Sequence, residues 1–482
     1  MKKIIDISAV AGSKLIRQAV LVLIMVIAAR MLGKELVGIW ALIYLVIQFG
    51  VMLADSGISV FVIREKELSE RIYSTAFTLC VGLAIAIGML TGLLAFPLAT
   101  LLGYQAYWLE FGVSAAAIVP LTLIGFLQAK LRRERRFGSI FLIDTFGSLV
   151  QLGATVFMLY QGFELWAFIG PTFGAALLIC IGSFFATGIP PILFDRGNAK
   201  TIWHYSRGLL GFSTINFWAR NADTMLVGRF LGAAPLGIYS VAYRIMMLPI
   251  AQINAIAHTV ALPYLSPLQD NPKQLKAGIS KVFIGIGMIT TVPMLVIWLR
   301  RYSFIDLILG EDWRRVGDLM FVLIPVGLLQ SLVNPVGLCY QISGRTGLFF
   351  KIGVFQTAVT LVSFAIGIAF GTIDAVVVCY AVANLLLLPL SVGAAMRTIE
   401  CSLLDWFRFC GGFLLCIPVC WFADSQISVP SDPVYALLKT IVLVVLVCTA
   451  TITVTLFPIL RSWLIRSPIA RAKTETLANG DR

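Results

Sequence analysis

Two fifteen-residue segments of the chain are near copies of each other. Residues 30–44 read RMLGKELVGIWALIY, residues 229–243 read RFLGAAPLGIYSVAY, and the two align without a gap. Arginine, leucine, glycine, isoleucine and tyrosine fall in matching places, and both copies join two long apolar runs. A segment repeated in the same setting indicates that the chain contains one bundle of helices twice.

Apolar runs of about 18–22 residues recur from one end of the chain to the other, and each could cross a bilayer as a helix. Of the 482 residues, 59% are hydrophobic and only 13% are charged, whereas soluble proteins carry about 25% charged residues. No polar stretch is long enough to build a large soluble domain. The sequence therefore predicts an all-α membrane protein with about 14 transmembrane helices.

The spacing of the repeat predicts the domain organisation. The second copy starts 199 residues after the first, and the six predicted helices of one offset make both copies enter the membrane in the same direction. Such a parallel internal repeat predicts two six-helix lobes, at 1–187 and 208–396, joined by a cytoplasmic linker at 188–207. Residues 397–482 then form two extra C-terminal helices and a cytoplasmic tail.

The net charge of +13 is distributed in a way that indicates membrane topology rather than nucleic-acid binding. Lysine and arginine concentrate in alternate connections, including the block 130–136, which predicts that both termini are cytoplasmic. The nine cysteines lie almost all in apolar runs without a Cys-x-x-Cys pair, and no Walker sequence occurs. The sequence therefore predicts no metal site, no bound cofactor and no ATP hydrolysis.

Two arginines are predicted to lie near the middle of the membrane. Ser213, Asn216, Arg220 and Asp223 follow one another at spacings of three and four, which places them on one helix face. Arg244 lies on the next helix, and the rise per residue puts both arginines roughly 14–17 Å from the turn that joins the helices. Guanidinium groups there could bind a phosphate. A closed Arg220–Asp223 pair is the alternative.

Further polar residues inside the predicted helices have two interpretations. They could line a wet cavity that accepts a hydroxyl-rich ligand, or they could form hydrogen bonds that hold the bundle together. These residues are Asp55, Asp144, Ser148, Gln151, Asn254, Gln330 and Asn334. Arg17 lies about one turn into the first predicted helix from its cytoplasmic end, where it could receive a phosphate headgroup of the substrate or serve as an interfacial anchor.

Residues 221–232 (NADTMLVGRFLG), 236–239 (LGIY) and 262–266 (LPYLS) resemble the central segment of Wzx-type polysaccharide exporters. These are the lipid-linked oligosaccharide flippases of the multidrug/oligosaccharidyl-lipid/polysaccharide superfamily. The resemblance implies two lobes around a cationic cavity that move an undecaprenyl-diphosphate-linked sugar unit across the bacterial inner membrane by alternating access. Arg220 and Arg244 fit the cavity cations that hold the diphosphate in this family. The resemblance suggests coupling to Na⁺ or H⁺ but carries over no residue for it. Asp223 and Asp55 are our own candidates for the coupling site. Other polysaccharide assembly proteins are the partners it suggests.

Three other functions were weighed. A drug or cation antiporter of the same superfamily would hold its cargo with acidic groups, whereas the predicted mid-membrane charge here is net positive. A membrane-embedded polymerase or ligase would carry long loops rich in His, Asp and Glu, and the longest predicted outward loop spans only about 300–315. A scaffold without transport would not need polar helix faces at membrane depth. No catalytic residue is assigned.

Overall fold

The computed structural model describes residues 2–256, 261–426 and 433–465, with the side chains of residues 12, 16–250, 261–426 and 435–455. All regular structure in these ranges is helical. Twelve helices there are long and apolar enough to cross a membrane. The predicted all-α, multi-pass membrane protein is confirmed.

The chain divides into two compact units, Met1–Ser240 and Val241–Arg482, and the boundary falls inside one helix. Up to and including that helix, the order is α1 (Lys2–Asp55), α2 (Ile58–Arg64), α3 (Glu70–Leu93), α4 (Ala95–Leu102), α5 (Trp108–Ser114), α6 (Ile118–Arg133), α7 (Phe137–Tyr160), α8 (Trp166–Thr187), α9 (Arg196–Phe230) and α10 (Ala233–Ile256).

The helices that follow belong to the second unit. They are α11 (Leu262–Leu265), α12 (Pro272–Leu299), α13 (Arg301–Ile308), α14 (Arg314–Val333), α15 (Gly337–Ile342), α16 (Thr346–Ala369), α17 (Ile373–Arg397), α18 (Leu403–Ser425) and α19 (Pro433–Ile465). The predicted lobes and linker stay a prediction.

The first two predicted transmembrane helices both lie in α1, one on each side of a non-helical residue. The 40-residue apolar stretch of α1, Ile16–Asp55, is interrupted at Gly33, where the backbone has φ 76° and ψ 176°. Helix α9 is not among the twelve membrane-length helices, because its polar residues lower its hydropathy. The predicted number of 14 treats α1 as two helices and includes α9, and it also stays a prediction.

Unusual backbone conformations recur at matching places along the chain. Left-handed residues occur in four pairs about 200 residues apart: Gly33 and Gly232, Gly103 and Gly310, Arg135 and Gly344, Gly162 and Gly371. The third pair precedes α7 and α16, which both have 24 residues. The duplication that is visible in fifteen residues of sequence therefore continues in the backbone of segments whose side chains have diverged.

The two copies of the repeated motif touch each other through matched glycines. A β-carbon added to Gly38 would lie 1.9 Å from the carbonyl oxygen of Ala233, and one added to Gly237 would lie 2.0 Å from that of Lys34. Lys34 and Ala233 also occupy equivalent places in the alignment. The contact is therefore reciprocal, and only glycine allows the α1 and α10 backbones to come this close.

Replacing either glycine by alanine is expected to separate these helices and lower stability. A methyl group cannot fit at 2 Å from backbone oxygen, so Gly38→Ala and Gly237→Ala should each cost about 1–3 kcal/mol or more. Thermal unfolding in detergent measures the effect. The control is Gly82→Ala in α3, where an added β-carbon meets nothing within 4 Å. Equal melting temperatures for Gly38→Ala and Gly82→Ala would show that the close contact between the α1 and α10 backbones does not contribute to stability.

Helix α18 is fastened to α12 by ion pairs at both ends. At one end Lys276 Nζ lies 2.8 Å from Asp405 Oδ1. At the other end the Arg300 guanidinium donates to both oxygens of Asp424, at 2.5 and 2.8 Å. Both helices therefore run in the same direction, and α18, the first of the two extra C-terminal helices, packs against α12 within the second unit.

Between these ion pairs an aromatic ring fills the space above a glycine. A β-carbon on Gly287 of α12 would lie 2.4 Å from the ring of Phe413 on α18, whose side chain is fully buried. The ring thus lies directly against the α12 backbone, where van der Waals contact rather than hydrophobic transfer holds helices together in lipid.

Removing the acidic partner of Arg300 is expected to destabilise the second unit strongly. Arg300 is only 7% exposed, so Asp424→Asn would leave a buried guanidinium without its counter-charge, at a cost of about 3–5 kcal/mol. The matched control is Asp306→Asn, whose partner Arg314 is exposed and whose loss should cost about 1 kcal/mol or less.

Thermal unfolding of the purified variants compares the two changes. Combining Arg300→Met with Asp424→Leu should recover most of the lost stability, because two apolar side chains leave no buried charge. A double variant as unstable as Asp424→Asn would show that the pair does not act in this way.

Candidate functional site

The predicted polar face of α9 divides into an exposed and a buried part. The N-terminus of α9 is fixed by Asp195, whose carboxylate accepts a hydrogen bond from the Asn198 backbone amide at 2.9 Å. Further along, Asn216 and Arg220 are exposed and Ser213 is half-buried. Arg220 therefore presents its guanidinium at the surface of α9, about ten residues or roughly 15 Å before the helix ends.

Asp223, by contrast, is buried and bonded to a tyrosine. It is 4% exposed, and its Oδ2 accepts a hydrogen bond from the Tyr239 hydroxyl at 2.6 Å. Within the described residues Oδ1 has no hydrogen-bond partner, and Asp223 forms no ion pair with Arg220. The contact ties α9 to α10, so Asp223 has a structural role whatever else it does.

Arg244 is exposed on α10, and it has interactions of its own. It belongs to the second unit, whereas Arg220 belongs to the first. Their meeting at one anion site therefore stays a prediction. The Asn254 side chain lies outside the described residues.

Asp144 joins a hydrogen-bonded chain between α6 and α7. Gln128 Nε2 donates to Asp144 Oδ1 at 2.6 Å, and Arg132 Nη2 donates to Gln128 Oε1 at 3.2 Å. Arg17, exposed on α1, lies within electrostatic range of the same carboxylate. Ser148, one turn further along α7, is 3% exposed. In the first unit, Asp144 thus takes part in bonds between helices.

Two predicted cavity residues also bond neighbouring helices. Gln151 Nε2 on α7 donates to the Thr172 hydroxyl on α8 at 3.2 Å. Gln330 on α14 donates to the Tyr380 hydroxyl at 2.6 Å and to Asn384 Oδ1 at 2.9 Å, both on α17. These contacts fit the interpretation that polar residues hold the bundle together. Asn334 is exposed after the end of α14.

Asp55 caps a short helix that sequence reasoning missed. Its Oδ2 accepts from the Gly57 amide and its Oδ1 from the Ser59 amide, both at 3.2 Å. These amides lie at the start of α2, where backbone donors have no partner within the helix. The signal in the sequence was Asp-Ser-Gly at 55–57, a turn and capping pattern.

The basic block at 130–136 binds the ends of two helices. Arg133 donates to backbone carbonyls in the last turn of α2 and just beyond it, among them those of Val62 at 3.2 Å and Lys66 at 3.1 Å. Lys130 and Arg136 donate to carbonyls of residues 186–187 at the end of α8, at 3.1 and 2.5 Å. Cations at helix C-termini satisfy unpaired carbonyls and oppose the helix dipole. The block therefore fixes the C-terminal ends of α2 and α8, and its role in membrane topology stays a prediction.

Tyr104 holds the last turn of α9 in place. Its hydroxyl donates to the Gly228 carbonyl at 2.8 Å. Burial, followed by the nearby Glu35 carboxylate, raises the pKa of Tyr104. The hydroxyl therefore keeps its proton and remains a donor at neutral pH. Across the part of the chain that the structure describes, no group of three His, Cys, Asp or Glu residues could hold a metal ion.

Comparison with known proteins now identifies the chain's relatives. Residues 27–318 match the family described as polysaccharide biosynthesis protein. The chain belongs to this family. It is 25% identical over 346 residues to the lipopolysaccharide biosynthesis protein WzxC of Escherichia coli K12, covering 71% of this chain and 70% of that protein. The succinoglycan biosynthesis transport protein ExoT of Rhizobium meliloti is 28% identical over 301 residues, covering 60% and 58%.

A solved structure shares the fold. The lipid II flippase MurJ, in an inward closed conformation, matches with a TM-score of 0.74 and 12% identity, over 94% of this chain and 99% of that chain. At this identity the likeness concerns the fold alone. The resemblance to polysaccharide exporters seen in residues 221–266 is confirmed at the level of the family.

Removing the Tyr239 hydroxyl is expected to destabilise the α9–α10 contact. Tyr239→Phe takes the donor from a buried carboxylate whose other oxygen already has no partner, which should cost about 1–3 kcal/mol. Thermal unfolding in detergent measures this. The control is Tyr160→Phe, whose side chain is 78% exposed. A Tyr239→Phe variant as stable as the control would show that the bond contributes little.

Proposed function

We propose that this protein exports polysaccharide repeat units by flipping an undecaprenyl-diphosphate-linked oligosaccharide across the bacterial inner membrane. The family match over residues 27–318 supports a role in polysaccharide biosynthesis. The fold shared with a lipid II flippase supports movement of a lipid-linked cargo. The function is thus that of a secondary transporter, and other polysaccharide assembly proteins would make the substrate and use it.

The observation that carries the proposal is the exposed guanidinium of Arg220 in α9. In the described part of the chain it makes no ion pair with Asp223, which is occupied by Tyr239. Arg300 differs from Arg220 in this respect, because its buried guanidinium forms an ion pair with the Asp424 carboxylate. An exposed arginine far from the helix end suits a bidentate contact with phosphate oxygens. We assign a phosphate contact to Arg220, and we propose Arg244 of the second unit as a further phosphate ligand.

The transport cycle follows from the charge of the cargo. The diphosphate and sugars pass through the protein while the lipid tail stays in the bilayer, and the protein opens to the two sides in turn. The membrane potential of a bacterial cell is negative inside. Outward movement of each negative charge is therefore downhill by about 2.3 kcal/mol per 100 mV. The membrane potential would therefore favour export.

Release of the diphosphate requires the arginine contacts to loosen, and coupling to Na⁺ or H⁺ would serve this step. Of the two candidate carboxylates, we favour Asp223. Its Oδ1 has no partner among the described residues, whereas Asp55 is bound to backbone amides of α2. A cation or proton taken up at Asp223 would change its bond to Tyr239 and could thereby move α9.

Removing either arginine is expected to slow flipping. A hydrogen bond to a charged group contributes about 1.5–3 kcal/mol, so Arg220→Ala and Arg244→Ala should each reduce the rate roughly tenfold or more. The assay is the appearance of lipid-linked oligosaccharide in the outer leaflet of proteoliposomes or spheroplasts. Arg220→Lys should retain part of the activity, because it keeps the charge and loses the bidentate fork.

The matched control is Arg207→Ala, an exposed arginine thirteen residues earlier on α9. It should flip at a rate close to wild type. Full activity in both alanine variants at 220 and 244, with normal expression, would refute the anion-site assignment.

A further inference from the structure

A row of two aromatic side chains and one amide follows the kink in α1. Trp40, Tyr44 and Gln48 are spaced by four residues, which places them on one helix face. All three are half-buried. The Trp40 and Tyr44 ring centroids lie 5.8 Å apart, and Gln48 Nε2 donates to the Tyr44 hydroxyl. We call these three residues the aromatic row.

The ring at one end of the aromatic row is held in a fixed orientation. The indole of Trp40 stacks on the Phe168 ring of α8, with centroids 5.0 Å apart and planes at 6°. Trp40 also packs on the apolar cluster of α1, α7 and α8 that includes Phe168. Because the stack covers one face and the side chain remains half-buried, the indole is already ordered before any ligand arrives.

The amide at the other end of the row needs a polar environment. Gln48 lies about 14 residues, or roughly 21 Å, from the start of the helical segment after Gly33, and about 10 Å from the end of α1. Within the described residues its Oε1 has no protein partner, and it is not an enclosed atom. An amide oxygen facing acyl chains would cost several kcal/mol. The Gln48 end of the row therefore faces water or a polar ligand.

A similar arrangement exists in the second unit. Tyr243 occupies the place of Tyr44 in the repeat, and its ring centroid lies 6.4 Å from that of Tyr380. There too a glutamine amide, that of Gln330, donates to a tyrosine hydroxyl, that of Tyr380. The two units thus share one feature although their side chains differ. In each, a glutamine–tyrosine hydrogen bond lies beside a second aromatic ring.

We propose that the aromatic row binds the sugar part of the transported unit and sets its specificity, an inference that rests on the proposed function. The flat rings of Trp40 and Tyr44 offer apolar faces to the C–H faces of pyranose rings. The Gln48 amide and Tyr44 hydroxyl can exchange hydrogen bonds with sugar hydroxyls. The row carries no charge, so we expect it to act on the sugars and to leave the diphosphate to the arginines.

Sites that hydrogen-bond a ligand hydroxyl reject analogues that lack it, because the polar groups of the site are then left without partners. The aromatic row should therefore distinguish repeat units by their hydroxyl pattern, while the arginines bind the diphosphate that all such lipids share. Recognition of the sugar and of the anchor is divided between different residues.

The experiment compares the binding of two lipids to purified protein in nanodiscs. One is undecaprenyl diphosphate carrying the oligosaccharide made by the producing strain, and the other is undecaprenyl diphosphate alone. Gln48→Leu and Tyr44→Phe should each weaken binding of the sugar-bearing lipid by about tenfold. Trp40→Leu should weaken it at least as much. All three should bind the bare lipid like wild type.

The controls are Trp421→Leu, whose indole is 59% exposed on α18, and Gln161→Leu, which is exposed after α7. Both should leave the two affinities unchanged. Trp40→Leu could fail to fold because it loses the stack on Phe168. Tyr44→Phe and Gln48→Leu still test the row in that case. Tyr44→Phe removes only a hydroxyl group, and Gln48→Leu replaces a half-buried amide by an apolar side chain of similar size.

The outcomes separate this inference from the function it rests on. A wild-type protein that binds neither lipid would overturn the proposed function. A wild type that binds both, with folded row variants that keep the same preference for the sugar-bearing lipid, would overturn the role of the aromatic row alone. Equal loss of both lipids in the folded variants would also overturn it, because the row would then act on the anchor.

Discussion

The backbone contact between Gly38 and Gly237 is the constraint on which the arrangement of the first unit depends. Lipid removes the hydrophobic drive between helices, so close backbone approach and interhelical hydrogen bonds must hold them. Here the two copies of one motif meet reciprocally. This crossing brings the start of α10 against α1 and allows Tyr239, two residues after Gly237, to reach Asp223 of α9. The duplicated motif is thus both an element of symmetry and a site of contact.

The two copies keep the backbone of the motif and use its side chains differently. Both have a left-handed glycine, Gly33 or Gly232, before the helix that carries the crossing. Trp40 in the first copy is half-buried and stacked on Phe168, whereas the matched Tyr239 is buried against a carboxylate. One copy therefore leaves an aromatic surface open, and the other uses its aromatic residue to hold a polar contact between helices.

The sequence was sufficient to predict the fold class and the duplication, because hydropathy and repetition are read directly from residue order. It was less informative about the site, because spacing places residues on one face without saying which neighbour covers that face. Arg220 and Asp223 are three residues apart, which on a helix is a rotation of about 60°. That is enough for one to be exposed and the other buried against Tyr239. Gln151 likewise binds a partner, Thr172 of α8, that only the folded chain identifies.

The distribution of charge distinguishes an anionic cargo from a cationic one. Asp55 caps α2, Asp144 binds Gln128, and Asp223 binds Tyr239 through one of its two oxygens, so each of these carboxylates has a contact within its own unit. Arg220 and Arg244 are exposed on their helices. A transporter of cations would need the reverse, with acidic groups exposed and arginines closed by counter-charges. Exposed guanidinium groups suit phosphate oxygens rather than a cation, so this distribution of charge supports the proposed anionic cargo over a drug cation.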